Sequence, residues 1–256
     1  MIQPKISVVT VCYNAVNDIE KTILSVINQT YPNVEYLIID GGSTDGTMDV
    51  VNRYKDKIDV IVSEPDKGIY DAMNKGIDRA TGEWINFMNA GDCFVGTTVI
   101  CDVVANCNKN TVAVYGDMFF VTNTQKKYIK SNAISFIKKN MPCSHQALFC
   151  RMKDVKELRF DTDYKIAADY NMLYHLFWKN GKDNIERLDF PIVLFDGTGL
   201  SSCNKIKTFR EVLKIRSAHK DCFYYWDYFK DCIKNNSSLK FEIMAKQLYV
   251  ASQRVL

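Results

Sequence analysis

Several short segments gather side chains whose types and spacing could bind or transform a ligand. Thr10-Val11-Cys12-Tyr13-Asn14 places a hydroxyl, an aromatic ring and an amide where a β-branched run ends, so a flat base could stack and be hydrogen-bonded there; Tyr13 and Asn14 also suit a plain turn. Asp40-Gly41-Gly42-Ser43-Thr44-Asp45-Gly46-Thr47 ends an apolar run with a carboxylate that can accept from a base N–H, and its glycines allow close backbone approach to a ligand. Gly68 to Ile77 carries Asp71, Asn74 and Lys75 on helical spacing, where an i,i+4 surface pair of Asp71 with Lys75 and a basic group facing an anionic ligand are both open. Asn89-Ala90-Gly91-Asp92 follows another apolar run. His145 and Gln146 precede the apolar stretch Ala147 to Cys150, at the start of a strand, and could hydrogen-bond a polar ligand.

The elements that must position these groups alternate. Lys5 to Cys12 reads as a buried strand, and Asn17 followed by Glu20 signals a capped helix running to about Gln29. Strands at Glu35 to Asp40, Ile58 to Ser63 and Trp84 to Asn89 are interleaved with helices at Thr47 to Tyr54 and Ile69 to Arg79. This alternation predicts parallel βαβ units with ligands at the carboxyl ends of the strands. Beyond Thr97 the pattern loosens: a helix to Cys107, a strand at Val112 to Val121 with a hairpin partner at Lys126 to Lys130, and a helix at Ala168 to Asn180.

Bulk properties narrow the function. The 256 residues are 47% hydrophobic, enough for one large α/β domain or two small ones, and with no internal repeat or Pro/Ser-rich linker the expected architecture is one compact domain with a helical C-terminal extension. A net charge of +3 gives no ground for a nucleic-acid partner, although 11 Lys and Arg against 5 Asp and Glu from Lys205 to Leu256 make the tail basic and leave the preceding residues at −3. No signal peptide or membrane span is evident, so the expected location is cytoplasmic or peripheral on the inner face of the cell membrane. The nine cysteines lack metal or disulfide spacing and read as reduced thiols. There is no Gly-x-Gly-x-x-Gly after the first strand and no P-loop, which removes the dinucleotide dehydrogenase and P-loop classes. A sugar-nucleotide pyrophosphorylase would need a Gly-rich, basic loop where Cys12-Tyr13-Asn14-Ala15-Val16 stands.

Taken together, Ile6 to Asn14, Asp40 to Thr47, and Gly68 to Asp92 resemble the family-two glycosyltransferases of GT-A fold, clearly over about the first hundred residues. The resemblance implies an α/β, Rossmann-type mixed sheet flanked by helices. The domain would span 1–204, with a nucleotide-binding half at 1–95 and an acceptor-side half at 96–204, followed by a helical C-terminal extension at 205–256. It implies inverting sugar transfer in bacterial surface-polysaccharide assembly, from a nucleotide diphosphate sugar, UDP first, to a saccharide or lipid-linked acceptor. Thr10 and Tyr13 would lie near the nucleobase and Asp40 would bond it, and Asn74 or Lys75 would lie close to the ribose or diphosphate. Asn14 and Asn89 would also contact the donor nucleotide, and His145 and Gln146 could bond the acceptor sugar or the donor phosphate. A divalent metal, Mn2+ or Mg2+, would bind at Asp92, although Asn89-Ala90-Gly91-Asp92 departs from the family's Asp-x-Asp and implies weak metal binding before the donor arrives. Asp169, in Ala167-Ala168-Asp169, matches the family's general base with Ala168 where a Glu is usual; a helix N-terminus favours a carboxylate there for structural reasons as well.

The reduced acidic motif keeps a non-catalytic nucleotide-sugar-binding protein as the alternative. The loop Asp196-Gly197-Thr198-Gly199-Leu200-Ser201 could close over a donor or serve as a connecting turn. Phe223 to Phe229 is an aromatic cluster among basic residues, suited to core packing or to an anionic membrane surface.

Overall fold

A computed structural model describes residues 3–197 and 205–218. The strands are β1 (Ile6–Cys12), β2 (Val34–Asp40), β3 (Val60–Ser63), β4 (Trp84–Phe87), β5 (Cys93–Phe94), β6 (Ala113–Val121), β7 (Lys126–Ile129), β8 (Leu148–Arg151) and β9 (Ile185–Asp196). The helices are α1 (Ile19–Ile27), α2 (Thr47–Asn52), α3 (Ile69–Arg79), α4 (Val99–Ala105), α5 (Met152–Leu158), α6 (Ala168–Asn180) and α7 (Lys205–Ala218).

One mixed sheet runs β3-β2-β1-β4-β8-β6-β9-β5, with β7 paired to β6. The four strands of the first half are mutually parallel, as the alternation predicts, and β8 joins them antiparallel to β4. Every residue of β1 is buried, because helices cover both faces. Its two-residue period sends Ile6 and Val8 into a cluster with Ile19, Ile23, Val51 and Ile100 of α1, α2 and α4. Val9 points oppositely, against Gly76 of α3.

The second half differs more from expectation. β9 is twelve residues long and pairs in parallel with β6, and the register shifts around Asp117 and Pro191. That irregularity admits a proline to a strand interior. Neither α5 nor the two-residue β5 is signalled in the sequence; both are set by tertiary packing. The Asn17/Glu20 capping box does not form: Glu20 instead accepts from the Tyr54 hydroxyl at 2.7 Å. The Asp71–Lys75 pair is absent too, since Asp71 accepts the Lys67 N–H and Lys75 pairs with Glu64 at 3.0 Å.

The chain divides into two compact units, Met1–Val212 and Leu213–Leu256, with the boundary inside α7. The aromatic cluster at 223–229 lies outside the described residues. No helix among the described residues is long and apolar enough to cross a membrane. The six described cysteines carry free thiols.

Candidate active site

The carboxyl ends of β1 and β4 open into a cavity of about 1230 Å³. One side is formed by Tyr13, Asn14 and Asp66, the floor by Asn89 and Asp92, and the far side by His145, Asp169 and the apolar Met118, Met141 and Phe195.

On the first side, Tyr13 is 65% exposed, which leaves its ring free to stack. Asn14 takes a positive φ of 48°, and its Oδ1 accepts the Thr44 N–H at 3.0 Å, locking the β1 loop to the β2 loop. Asp40, expected at the base, is fully buried and does not line the cavity. Its carboxylate accepts from the Ser43 and Ser63 hydroxyls and from the N–H groups of Gly42 and Ser43. Burial opposes its ionisation, yet these bonds hold it below the usual carboxylate range. Thr10 is likewise buried, 3.0 Å from the Tyr36 hydroxyl.

Asp66, in the loop after β3, is a carboxylate that does line the cavity on this side. A Cβ added at Gly41 would collide with its Oδ2. The missing side chain at position 41 therefore makes room for the Asp66 carboxylate beside Tyr13. The sequence signal was the turn Asp66-Lys67-Gly68 before a helix, where Asp66 Oδ1 accepts the Gly68 N–H at 2.8 Å.

Two residues expected near the ribose or diphosphate do not line the cavity. Asn74 is buried and bonds both backbone groups of Phe160, accepting at 3.0 Å and donating at 2.8 Å. Lys75 donates to the Pro65 carbonyl at 2.8 Å besides pairing with Glu64.

On the floor, Gly91 adopts φ 101° in the turn from Asn89 to Asp92, a conformation that suits glycine. Thr22 of α1 pins this turn, its hydroxyl accepting the Gly91 N–H and donating to the Asp92 carbonyl. The Asp92 carboxylate accepts from Gln146 Nε2 at 2.6 Å and from the Asp196 N–H at 2.8 Å. Burial lifts its carboxyl to about 6 despite these bonds. Asp196, at the end of β9, also lines the cavity and pairs with Lys21 at 2.8 Å. Of the loop expected to close over a donor, only Asp196 and Gly197 lie within the described residues.

Among the described residues no group of three or more His, Cys, Asp or Glu is arranged to hold a metal. The oxygen chemistry nonetheless fits a hard cation: Asn89 Oδ1 is buried without a hydrogen-bond partner, in the same turn as the Asp92 carboxylate. Mg2+ is commonly held by one or two carboxylates together with substrate phosphates.

On the far side, Asp169 opens α6. Its Oδ1 accepts the Tyr170 N–H at 2.8 Å, with the Tyr70 hydroxyl 3.2 Å away, and its Oδ2 lies 3.1 Å from His145 Nδ1. Burial and the Asp169 charge push the Tyr70 hydroxyl up, so it stays protonated, and it donates to the Ile166 carbonyl at 2.6 Å. Glu211 of α7 accepts the N–H groups of Lys165, Ile166 and Ala167, each at 2.9 Å, and thereby holds the segment leading into Asp169. Nothing in the local sequence points to Tyr70 or Glu211.

A parallel βαβ half extended by a mixed set of strands, with an Asp-bearing turn after β4 in the same cavity as a helix-borne carboxylate, defines the GT-A class of glycosyltransferase folds. The chain belongs to glycosyl transferase family 2, whose model matches residues 7–165. It is 28% identical over 183 residues to a PGL/p-HBAD biosynthesis glycosyltransferase of Mycobacterium tuberculosis, covering 69% of this chain and 71% of that one. Among solved structures it resembles S. aureus TarS 1–349 in complex with UDP, with a TM-score of 0.67 and 19% identity, covering 84% of this chain. It spans 64% of that TarS chain, under two thirds of its length. It also resembles glucosyl-3-phosphoglycerate synthase of M. tuberculosis in complex with Mn2+, UDP-glucose and phosphoglyceric acid, with a TM-score of 0.58 and 17% identity, covering 83% of this chain and 78% of that one.

Proposed function

We propose that this chain transfers a sugar from a nucleotide diphosphate sugar, UDP first, to a hydroxyl of a saccharide or lipid-linked saccharide, with inversion. The observation that carries the reading is that Asp92 and Asp169, far apart in sequence, line one cavity and are each bonded by one of two consecutive residues, Gln146 and His145. The solved relatives named for UDP and UDP-glucose complexes support the choice of nucleotide.

In this reading the base stacks on Tyr13 and is bonded by Asp66, while the diphosphate lies toward Asn89 and Asp92. Those two residues would hold a divalent cation, which when bound neutralises charge on the diphosphate. The acceptor occupies the side lined by Met118, Met141 and Phe195, whose apolar surface suits the non-polar face of a sugar ring or part of a lipid carrier. Asp169 takes the proton of the acceptor hydroxyl as that oxygen bonds to the anomeric carbon and the bond from this carbon to the diphosphate oxygen breaks on the opposite face. The pair of electrons leaves with the nucleoside diphosphate, and the proton ends on Asp169.

The test is turnover of UDP-sugars, with Mn2+ and candidate acceptors, by the full chain and by Asp169→Asn. A fall in kcat of about a hundredfold or more, with UDP affinity kept, supports the assignment. Asn89 and Gly91 at positions usually acidic favour one other reading, a nucleotide-sugar-binding module; binding of the donor without turnover or slow hydrolysis would decide for it.

A further inference from the structure

The residue pair His145-Gln146 belongs to a single turn of 3-10 helix, His145–Ala147, inserted just before β8. Its backbone is fixed from beneath: Asn86 of β4 donates through Nδ2 to the carbonyls of Gln146 and Leu148, at 2.9 and 3.0 Å. Its side chains reach in two directions. Gln146 bonds Asp92, and the His145 ring spans the floor and the far side of the cavity, with Nε2 3.0 Å from Asn89 Nδ2 and Nδ1 3.1 Å from Asp169 Oδ2. The Asn89 amide donates to Nε2, so a neutral ring carries its proton on Nδ1 and donates it to Asp169.

Asp169 is thus held on Oδ1 by the Tyr170 N–H and on Oδ2 by His145, while the Tyr70 hydroxyl, which donates to the Ile166 carbonyl at 2.6 Å, lies 3.2 Å from Oδ1. The Tyr170 N–H comes from its own helix; His145 comes from the turn before β8, and its other ring nitrogen meets Asn89 on the floor. We infer that His145 is a positioning residue, which turns the Asp169 carboxylate toward the acceptor hydroxyl and ties its orientation to the diphosphate-binding turn at Asn89. This rests on the reading of Asp169 as general base. It also reassigns His145: its two ring nitrogens are spent on protein groups and leave none for the acceptor sugar or the phosphate.

The two nitrogens can be separated by substitution. In His145→Asn the side-chain amide stands near the Nδ1 position and can still donate to Asp169, whereas in His145→Gln it stands near Nε2 and reaches Asn89 only. Steady-state kinetics of these two and of His145→Ala would be measured with UDP-sugar, Mn2+ and acceptor, beside UDP affinity by calorimetry and thermal unfolding. The expected result is a loss of kcat of about 10- to 100-fold in His145→Ala and His145→Gln, in the range typical of removing a group that orients a functional side chain. His145→Asn should stay within about fivefold of the parent, with UDP affinity and acceptor KM changed by less than about threefold in all three. A raised acceptor KM at unchanged kcat, weakened UDP binding, or equal losses in His145→Asn and His145→Ala would each overturn the inference. Asp169→Asn run in parallel separates the two failures. If Asp169→Asn turns over normally, the base assignment falls and this inference with it; if it is inactive while His145→Ala is normal, only the positioning role falls.

Discussion

The Asp66 carboxylate occupies the space that a side chain at Gly41 would need, against the exposed Tyr13 ring. In the function proposed above, the carboxylate that bonds the base therefore comes from the loop after β3, whereas Asp40 at the end of β2 is buried beneath it.

Asp66→Ala should weaken UDP binding by about 10- to 100-fold, the worth of a hydrogen bond to a charged group, with little change in thermal midpoint. Asp40→Asn should do the reverse, lowering the midpoint by several degrees because Asp40 accepts bonds from three residues that shape the β2 loop. Calorimetry with UDP beside thermal unfolding checks both. A greater affinity loss in Asp40→Asn than in Asp66→Ala would return the role to Asp40.

Gly41→Ala should act on the ligand rather than on the fold. A methyl there drives Asp66 away from Tyr13, so UDP affinity should fall at least about tenfold while the midpoint changes little, Asp66 being the movable end of a side chain.

Asn74→Ala should cost about 2–4 kcal/mol of stability, because it leaves the buried Phe160 N–H and carbonyl without partners. Denaturant unfolding measures the loss. At a temperature where the variant is folded, donor KM should be that of the parent.

Glu35 supplies a pH dependence of stability. It is buried, which disfavours its charge, but the Ser7 and Thr81 hydroxyls, the Thr81 N–H and Lys5 all donate to it and hold its carboxyl at about 2. A depressed carboxyl stabilises the fold fully above its unfolded value of about 4.3 and loses that contribution as pH falls through about 2. The contribution is on the order of 3 kcal/mol. Glu35→Gln should therefore be less stable than the parent at pH 7 in urea unfolding, and the difference should shrink steadily below pH 4.

With one carboxylate and one amide oxygen in the turn after β4, Mn2+ alone should barely move the thermal midpoint, whereas Mn2+ with UDP should raise it by more than UDP does with EDTA. A large shift from Mn2+ alone would mean that the metal site is complete without the donor.

By itself the sequence determined the parallel half of the fold. Buried β-branched runs such as Ile6–Cys12 and the helical period of Ile69–Arg79 are local properties, and their alternation dictates where the loops gather. It also singled out Tyr13, Asn89, Asp92, His145, Gln146 and Asp169, all of which the fold brings into or against one cavity. It did not separate the residues that face the cavity from those that shape it. Thr10, Asp40, Asn74 and Lys75 have the right types in the right loops, but whether such a side chain meets ligand or protein depends on partners remote in the chain: Tyr36, Ser63, Phe160 and Glu64. Asp66 has room at the cavity because Gly41 carries no side chain, and Asp169 lies against Tyr70 and is bonded by His145, 99 and 24 positions away. Hydrogen-bond partners at such separations are set by how the sheet and helices pack, and that was decided by the tertiary structure alone.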